Sequence, residues 1–89
     1  MHGVNDPAAQ AEQAMDNVAV LLDEGGATLA DVAKATVFVT DRAYLPCVAE
    51  VVLRRLDGVS PCFTALEVKG LASPELLMEV DITAVTSAR

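Results

Sequence analysis

The chain is expected to fold as an α+β layer pair, two helices on one face of a small mixed β-sheet, and three observations predict it. Two stretches, about residues 7–24 and 45–56, repeat apolar side chains at three- and four-residue spacing, which places an apolar stripe on a helix. Three others, about 33–40, 62–68 and 76–84, alternate in the period-2 manner of half-buried strands. The order helix, strand, helix, strand, strand has no linker, repeat or low-complexity segment, and 89 residues make one small domain, residues 1–89.

Met1–Asn5 forms a short lead-in, and Asp6-Pro7 starts the first helix, with Asp6 as N-cap and Pro7 at the first helical position. Ala11, Ala14, Met15, Val18, Leu21 and Leu22 supply its apolar stripe, and Gly25-Gly26 ends it. Thr28, with Asp31 three positions later, caps one further turn. The period then changes: Ala33, Ala35, Val37 and Val39 oppose Lys34, Thr36, Phe38 and Thr40, and β-branched enrichment favours a strand. Asp41 closes that strand and caps the element after it. Leu45, Val48, Val51, Val52 and Leu56 mark the second helix, Pro46 falls in its first turn, and Glu50, Arg54 and Arg55 lie on its wet side. Asp57-Gly58 stops it.

In the last third, Cys62, Thr64, Leu66 and Val68 share one strand face, and Phe63, Ala65, Glu67 and Lys69 the other. Met78, Val80, Ile82 and Ala84 oppose Leu77, Glu79, Asp81 and Thr83. The segment Gly70–Glu75 is short enough for an antiparallel hairpin between the two strands. With the helices on one side, the uncovered side is expected to carry Phe38, Phe63, Ala65, Leu77 and Glu79.

Composition narrows the classes of partner. Hydrophobic residues make up 53% of the chain and mean hydropathy is +0.40, more apolar surface than so small a domain buries in its own core. The excess points to a homo-oligomer. Six basic against thirteen acidic residues give −7, with no Lys/Arg cluster, which argues against nucleic acid. No apolar run reaches membrane-spanning length and no targeting segment opens the chain, so no membrane partner is expected. Two cysteines, Cys47 and Cys62, lack metal-ligand spacing. They fit small core residues with free thiols in a reducing cytoplasm. No metal or other cofactor is expected. His2, the one histidine, sits in the terminal lead-in, and no histidine is placed to activate either thiol.

Asp16-Asn17-Val18, Gly26 through Val32, Lys34 through Asp41, Gly58 through Val68 and Met78-Glu79-Val80 resemble the RidA/YjgF family of enamine and imine deaminases, in register from about Gly3 to Ala84. The resemblance implies a chorismate-mutase-like α+β fold, assembly as a trimer around a sheet-lined centre, and small-molecule pockets in the clefts between subunits. It implies hydrolysis of reactive 2-imino or 2-enamino acids to 2-oxo acids and ammonia. Relative to the family pattern, the chain reads as a single RidA-like domain lacking the opening strands.

Glu79 stands at the position of the family's water-positioning glutamate, and hydrolysis at an imine carbon needs such an acceptor to orient water. Near Pro61, deaminating members read Pro-Ala-Arg-Ser/Thr, the arginine gripping the substrate carboxylate in a bidentate pair. Here the run is Pro61-Cys62-Phe63-Thr64-Ala65, with Phe63 at the arginine position. The resemblance thus gives Glu79 as the catalytic residue and Cys62, Phe63, Thr64 and Ala65 as ligand-binding residues. From the residues alone, Glu79 is a solvated carboxylate on an open sheet face and Phe63 a packing residue. Two functions stay open: an imine or enamine deaminase in which another cation, such as Arg54 or Arg55 of a neighbour, replaces the arginine, or a non-catalytic oligomer that binds a small ligand or partner through the same cleft.

Overall fold

The computed structural model describes residues 6–86, and the expectation for His2 lies outside the described residues. Its elements are α1 (Pro7–Glu24), β1 (Val32–Val39), α2 (Leu45–Arg55), β2 (Cys62–Glu67) and β3 (Met78–Ala84), with 3-10 turns at Leu29–Asp31 and Arg42–Tyr44.

Local chemistry sets the helix ends. Asp6 Oδ1 accepts from the Ala9 N–H at 3.0 Å, and Pro7 costs no hydrogen bond because the first helical N–H groups have no intrahelical acceptor. At the other end Gly26 takes φ 81°, and the Ala27 N–H reaches back to the Leu22 carbonyl at 2.7 Å while Gly26 bonds Asp23. This is the Schellman closure that a left-handed residue permits. Asp31 accepts from the Thr28 N–H at 2.9 Å, as the Thr28/Asp31 spacing predicts. Asp41 Oδ1 accepts from the Ala43 N–H at 2.8 Å, capping the 3-10 turn that leads into α2 rather than α2 itself. Gly58, at φ 82°, turns the chain after α2.

The sheet runs β2-β1-β3, with β1 parallel to β2 and antiparallel to β3. This corrects the expected hairpin: β2 and β3 do not touch along an edge, and residues 68–77 carry the chain across the end of β1 to its far side. The helix between β1 and β2 is long enough to serve as the crossover that parallel pairing needs. The β1 alternation is also broken. Val32 pairs with Ala84 and Lys34 with Thr83, so Ala33 is the extra residue of a bulge. Val32 is buried in consequence, while Ala33 and Lys34 are both exposed.

Below the sheet lies the core, where Met15, Leu56, Val37, Val39, Val48 and Val52 are almost wholly buried. Phe63, Val80 and Ile82 pack against it from the sheet. A polar clasp joins α1 to the start of β3: buried Gln10 accepts from the Leu77 N–H at 2.8 Å and donates to the Glu75 carbonyl at 2.8 Å.

Ion pairs align the two helices. Arg54 pairs with Glu12, Arg55 reaches Glu12 at 3.1 Å and Asp16 at 2.8 Å, and Arg54 also meets Glu50 at 3.4 Å. Glu50 and Arg54 are exposed on the wet side expected of α2, and Arg54 and the half-buried Arg55 also bridge from it to α1. Hydrogen bonds from Arg54 and then Arg55 hold the Glu12 carboxyl below its ordinary value of 4.5. The hydrogen bond to Glu12 raises Arg54, and that to Asp16 raises Arg55.

Two outcomes are expected. Met15→Ala, which empties a fully buried site, should cost about 2–5 kcal/mol and lower the urea midpoint; a loss under about 1 kcal/mol would contradict this packing. Because Glu12 binds its proton at lower pH in the folded than in the unfolded chain, its contribution is complete above the unfolded value and is lost as pH falls through the folded one. The stability gap between the native chain and Glu12→Gln should therefore be full well above pH 4.5 and narrow as pH falls below it. Urea titrations across that range check it, and a constant gap would show that the pairs contribute nothing.

Candidate functional site

The side of the sheet away from the helices carries three rows of side chains, set by the two registers. Leu66, Phe38 and Glu79 form one row, Thr64, Thr36 and Asp81 the next, and Cys62, Lys34 and Thr83 the third. Within this grid the central strand is the most shielded. Thr36 is only 9% exposed and Phe38 is half-buried, while Glu79, Asp81, Thr64 and Cys62 are exposed.

Glu79 lies where expected, on the open face at the end of the sheet where β1 leaves and β3 enters. Thr64 and Cys62 share that face, so the Cys62 thiol is exposed rather than part of the core. They are not its neighbours, however. From strand spacing and rise, Thr64 is roughly 12 Å and Cys62 roughly 16 Å from Glu79 between backbones. Phe63 and Ala65 are on the other side. They pair with Ala35 and Val37, whose side chains are fully buried beneath the helices, and Phe63 joins the core. The expectation that the uncovered face would carry Phe63 and Ala65 is thus corrected: the parallel register with β1 turns these two inward.

Sequence reasoning missed Leu66 as a neighbour of this site, because it follows from the β1–β2 register. Each face of β2 offers a similar mix, Cys62, Thr64 and Leu66 against Phe63, Ala65 and Glu67, so alternation alone does not choose between them. The strand's last residue, Glu67, accepts from the Arg42 N–H at 3.0 Å and ties β2 to the turn before α2.

Cations near the open face are few among the described residues. Lys34 stands at the far end of the face from Glu79. Arg54 and Arg55 are held by α1 on the helix side. Lys69 borders a cavity of about 250 Å³, with Thr40, Gly70, Leu71, Ser73, Pro74 and Leu76, at the same end of the sheet as Glu79. An ammonium and hydroxyls there suit a small anionic group. In the sequence Lys69 reads only as the continuation of the β2 alternation beyond Glu67, whereas β2 ends at Glu67 and Lys69 lies in the loop beside this cavity. Chemically, the open face offers carboxylates, hydroxyls and apolar side chains. Among the described residues no three His, Cys, Asp or Glu side chains converge as metal ligands, and no helix is long and apolar enough to cross a membrane.

Comparison with known proteins accords with this geometry. A family model described as Endoribonuclease L-PSP matches residues 1–86. Among solved structures, the chain is similar to Rv2704 of Mycobacterium tuberculosis, described as a member of the YjgF/YER057c/UK114 family, with 34% identity and a TM-score of 0.88 over 91% of this chain and 69% of that one. It is similar to YyfB of Yersinia pestis, of the conserved Rid protein family and of unknown function, with 31% identity and a TM-score of 0.86 over 97% of this chain and 67% of that one. It is also similar to E. coli TdcF with bound serine, with 27% identity and a TM-score of 0.85 over 92% of this chain and 66% of that one. The chain spans between 57% and 70% of the length of these and other matching structures. Two helices over a three-stranded mixed sheet match the α+β fold of these proteins, and with the family model covering nearly the whole sequence, the chain belongs to the YjgF/RidA family.

Proposed function

We propose that this chain is the subunit of a homo-oligomer, in the trimeric arrangement its family resemblance implies, that binds a small nitrogen-bearing metabolite on the open sheet face around Glu79. On this reading it does not grip a carboxylate as arginine-bearing deaminases do. The observation that carries it is that Phe63, which the family resemblance puts at the arginine position, packs against the core on the helix side. The exposed Glu79 and Asp81 favour a ligand with an ammonium or other cationic nitrogen, and Phe38 and Leu66 flank it with apolar surface. The serine bound to TdcF is a ligand of that class. A neighbouring subunit over this face would cover Leu66 and complete a cleft around the carboxylates. Free thiols at Cys47 and Cys62 suit a reducing cytoplasm.

A second reading, hydrolysis of 2-imino or 2-enamino acids, rests on Glu79 itself, exposed at the position of the water-positioning glutamate. Glu79 would accept a hydrogen bond from a water whose oxygen adds to the imine carbon. Proton transfer to nitrogen and cleavage of the carbon–nitrogen bond then release ammonia and leave the 2-oxo acid. The substrate carboxylate would need a cation other than Arg54 and Arg55, and Lys69 is the candidate within the subunit.

Light scattering on the chain should give the mass of three copies. L-serine titration should show saturable binding that Glu79→Gln weakens about tenfold or more, without acceleration of 2-iminobutanoate hydrolysis. Turnover that disappears in Glu79→Gln would establish the second reading instead, and a monomeric mass would remove the inter-subunit cleft. Phe63→Arg, by placing a guanidinium against the core, should lower stability by about 1–3 kcal/mol in urea unfolding and add no affinity for carboxylates. Gain of imine hydrolysis in that variant would mean that position 63 reaches the ligand.

A further inference from the structure

Beyond the row of Leu66, Phe38 and Glu79 the sheet gives way to the loop-walled cavity that Lys69 borders, and backbone hydrogen bonds fix its place. The Thr40 N–H donates to the Leu77 carbonyl at 3.0 Å, and the Val68 N–H to the Val39 carbonyl at 2.8 Å, so the chain on either side of β1 is still paired where that strand ends. Val39 is buried in the core and the next residue turns to the other side, which puts Thr40 in line with Thr36 and Phe38 on the open face. From strand spacing and rise, Thr40 is roughly 8 Å from Glu79 between backbones. Lys69 follows Val68 directly, and Thr40, Lys69 and Ser73 border the cavity of about 250 Å³.

The cavity differs from the sheet face beside it in charge and in hydrogen-bonding capacity. Glu79 and Asp81 offer acceptors, whereas the exposed Lys69 brings an ammonium with three donors and makes no ion pair among the described residues. Arg54 and Arg55 are taken up by Glu12, Asp16 and Glu50, and Lys34 stands at the far end of the sheet. The two hydroxyls are lightly held. Thr40 Oγ1 is 3.4 Å from the Leu77 carbonyl and Ser73 Oγ is 3.4 Å from Glu75 Oε1, both longer than an ordinary O–H···O bond, so each proton is free to turn to a stronger acceptor. Glu75 adjoins the cavity through Ser73, and its charge opposes an anion there.

We infer that the cavity at Lys69 holds the anionic end of the ligand whose nitrogen Glu79 holds, so that the ligand is an amine carrying a carboxylate or phosphate several bonds from its nitrogen. The inference rests on the proposed binding of a cationic nitrogen at Glu79. Spacing decides the class. In an α-amino acid one carbon joins ammonium to carboxylate, which is short against the roughly 8 Å between Glu79 and the cavity wall at Thr40. A chain of a few methylenes spans that gap. Phe38, across the ladder from Glu79 and two residues before Thr40, offers apolar surface to those methylenes.

Calorimetric titration of the whole chain with 5-aminopentanoate, phosphoethanolamine and L-serine tests this. At least one of the two spaced ligands should bind about tenfold or more tighter than L-serine, and the better of them tells carboxylate from phosphate at the anionic end. Lys69→Gln should bring the spaced ligands down to the affinity of L-serine, Lys69→Arg should keep most of their advantage, and Glu75→Gln, by removing an opposing charge, should raise it. All three positions of substitution are exposed, and thermal melts confirm that each variant is folded. Saturable L-serine binding with no advantage for either spaced ligand would overturn the inference and leave the reading at Glu79 standing. An advantage that survives in folded Lys69→Gln, or a loss of L-serine affinity in that variant as large as the loss for the spaced ligands, would equally overturn it. Absence of saturable binding by all three ligands up to about 10 mM would overturn both the inference and the reading on which it rests.

Discussion

Everything in this fold depends on β1 being hydrogen-bonded along both sides. Its eight residues meet β2 in parallel and β3 in antiparallel register, and their inner side chains are the floor on which both helices rest. A slip of one residue in either ladder would exchange Ala35, Val37 and Val39 for Lys34, Thr36 and Phe38 beneath the helices. The bulge at Ala33 belongs to the same constraint. It lets Val32 rejoin the buried face after the alternation has been interrupted, so the strand presents apolar side chains to the core at both ends.

The helices are held over that floor by unlike means. Burial of Met15, Val48, Val52 and Leu56 is non-directional and sets only how close they come. Arg54 and Arg55, forked against Glu12 and Asp16, add direction along the seam, and Gln10 anchors the far side of α1 to the backbone entering β3. Opposite sides of α1 thus secure α2 and the backbone entering β3. Since exposed ion pairs add little to stability individually, the seam acts mainly on alignment, whereas the Gln10 bonds satisfy backbone groups that would otherwise lack partners.

Every helix and strand was legible in the sequence, because caps, glycines and periodicity are local signals: Asp6-Pro7, Gly25-Gly26 and Asp57-Gly58 sit at the ends they foretold. Pairing was not. Which strand lies beside β1 depends on contacts between residues 28 to 52 positions apart in sequence, and the ten-residue connection 68–77 reads equally as a hairpin loop or as a passage across a strand end. For β2 the pattern is ambivalent, since phenylalanine and alanine on one face offset leucine and cysteine on the other. That ambiguity placed Phe63 beside Glu79 in expectation and beneath the helices in the fold. For β3, with four apolar residues on one face and two carboxylates on the other, there was no ambiguity, and Glu79 lies on the open side as expected.

The position of β1 also has a consequence for how the polypeptide emerges during synthesis. Among the described residues the central strand precedes both of its partners in the chain. Until they arrive, an eight-residue stretch rich in β-branched side chains is unpaired along both edges, and α1 has no finished sheet to cover. Such sequence-distant pairing slows folding and exposes the nascent chain to wrong partners. Lys34, on the face of this strand that the helices never cover, places a charge within the segment while it waits, which opposes stacking of one unfinished chain on another.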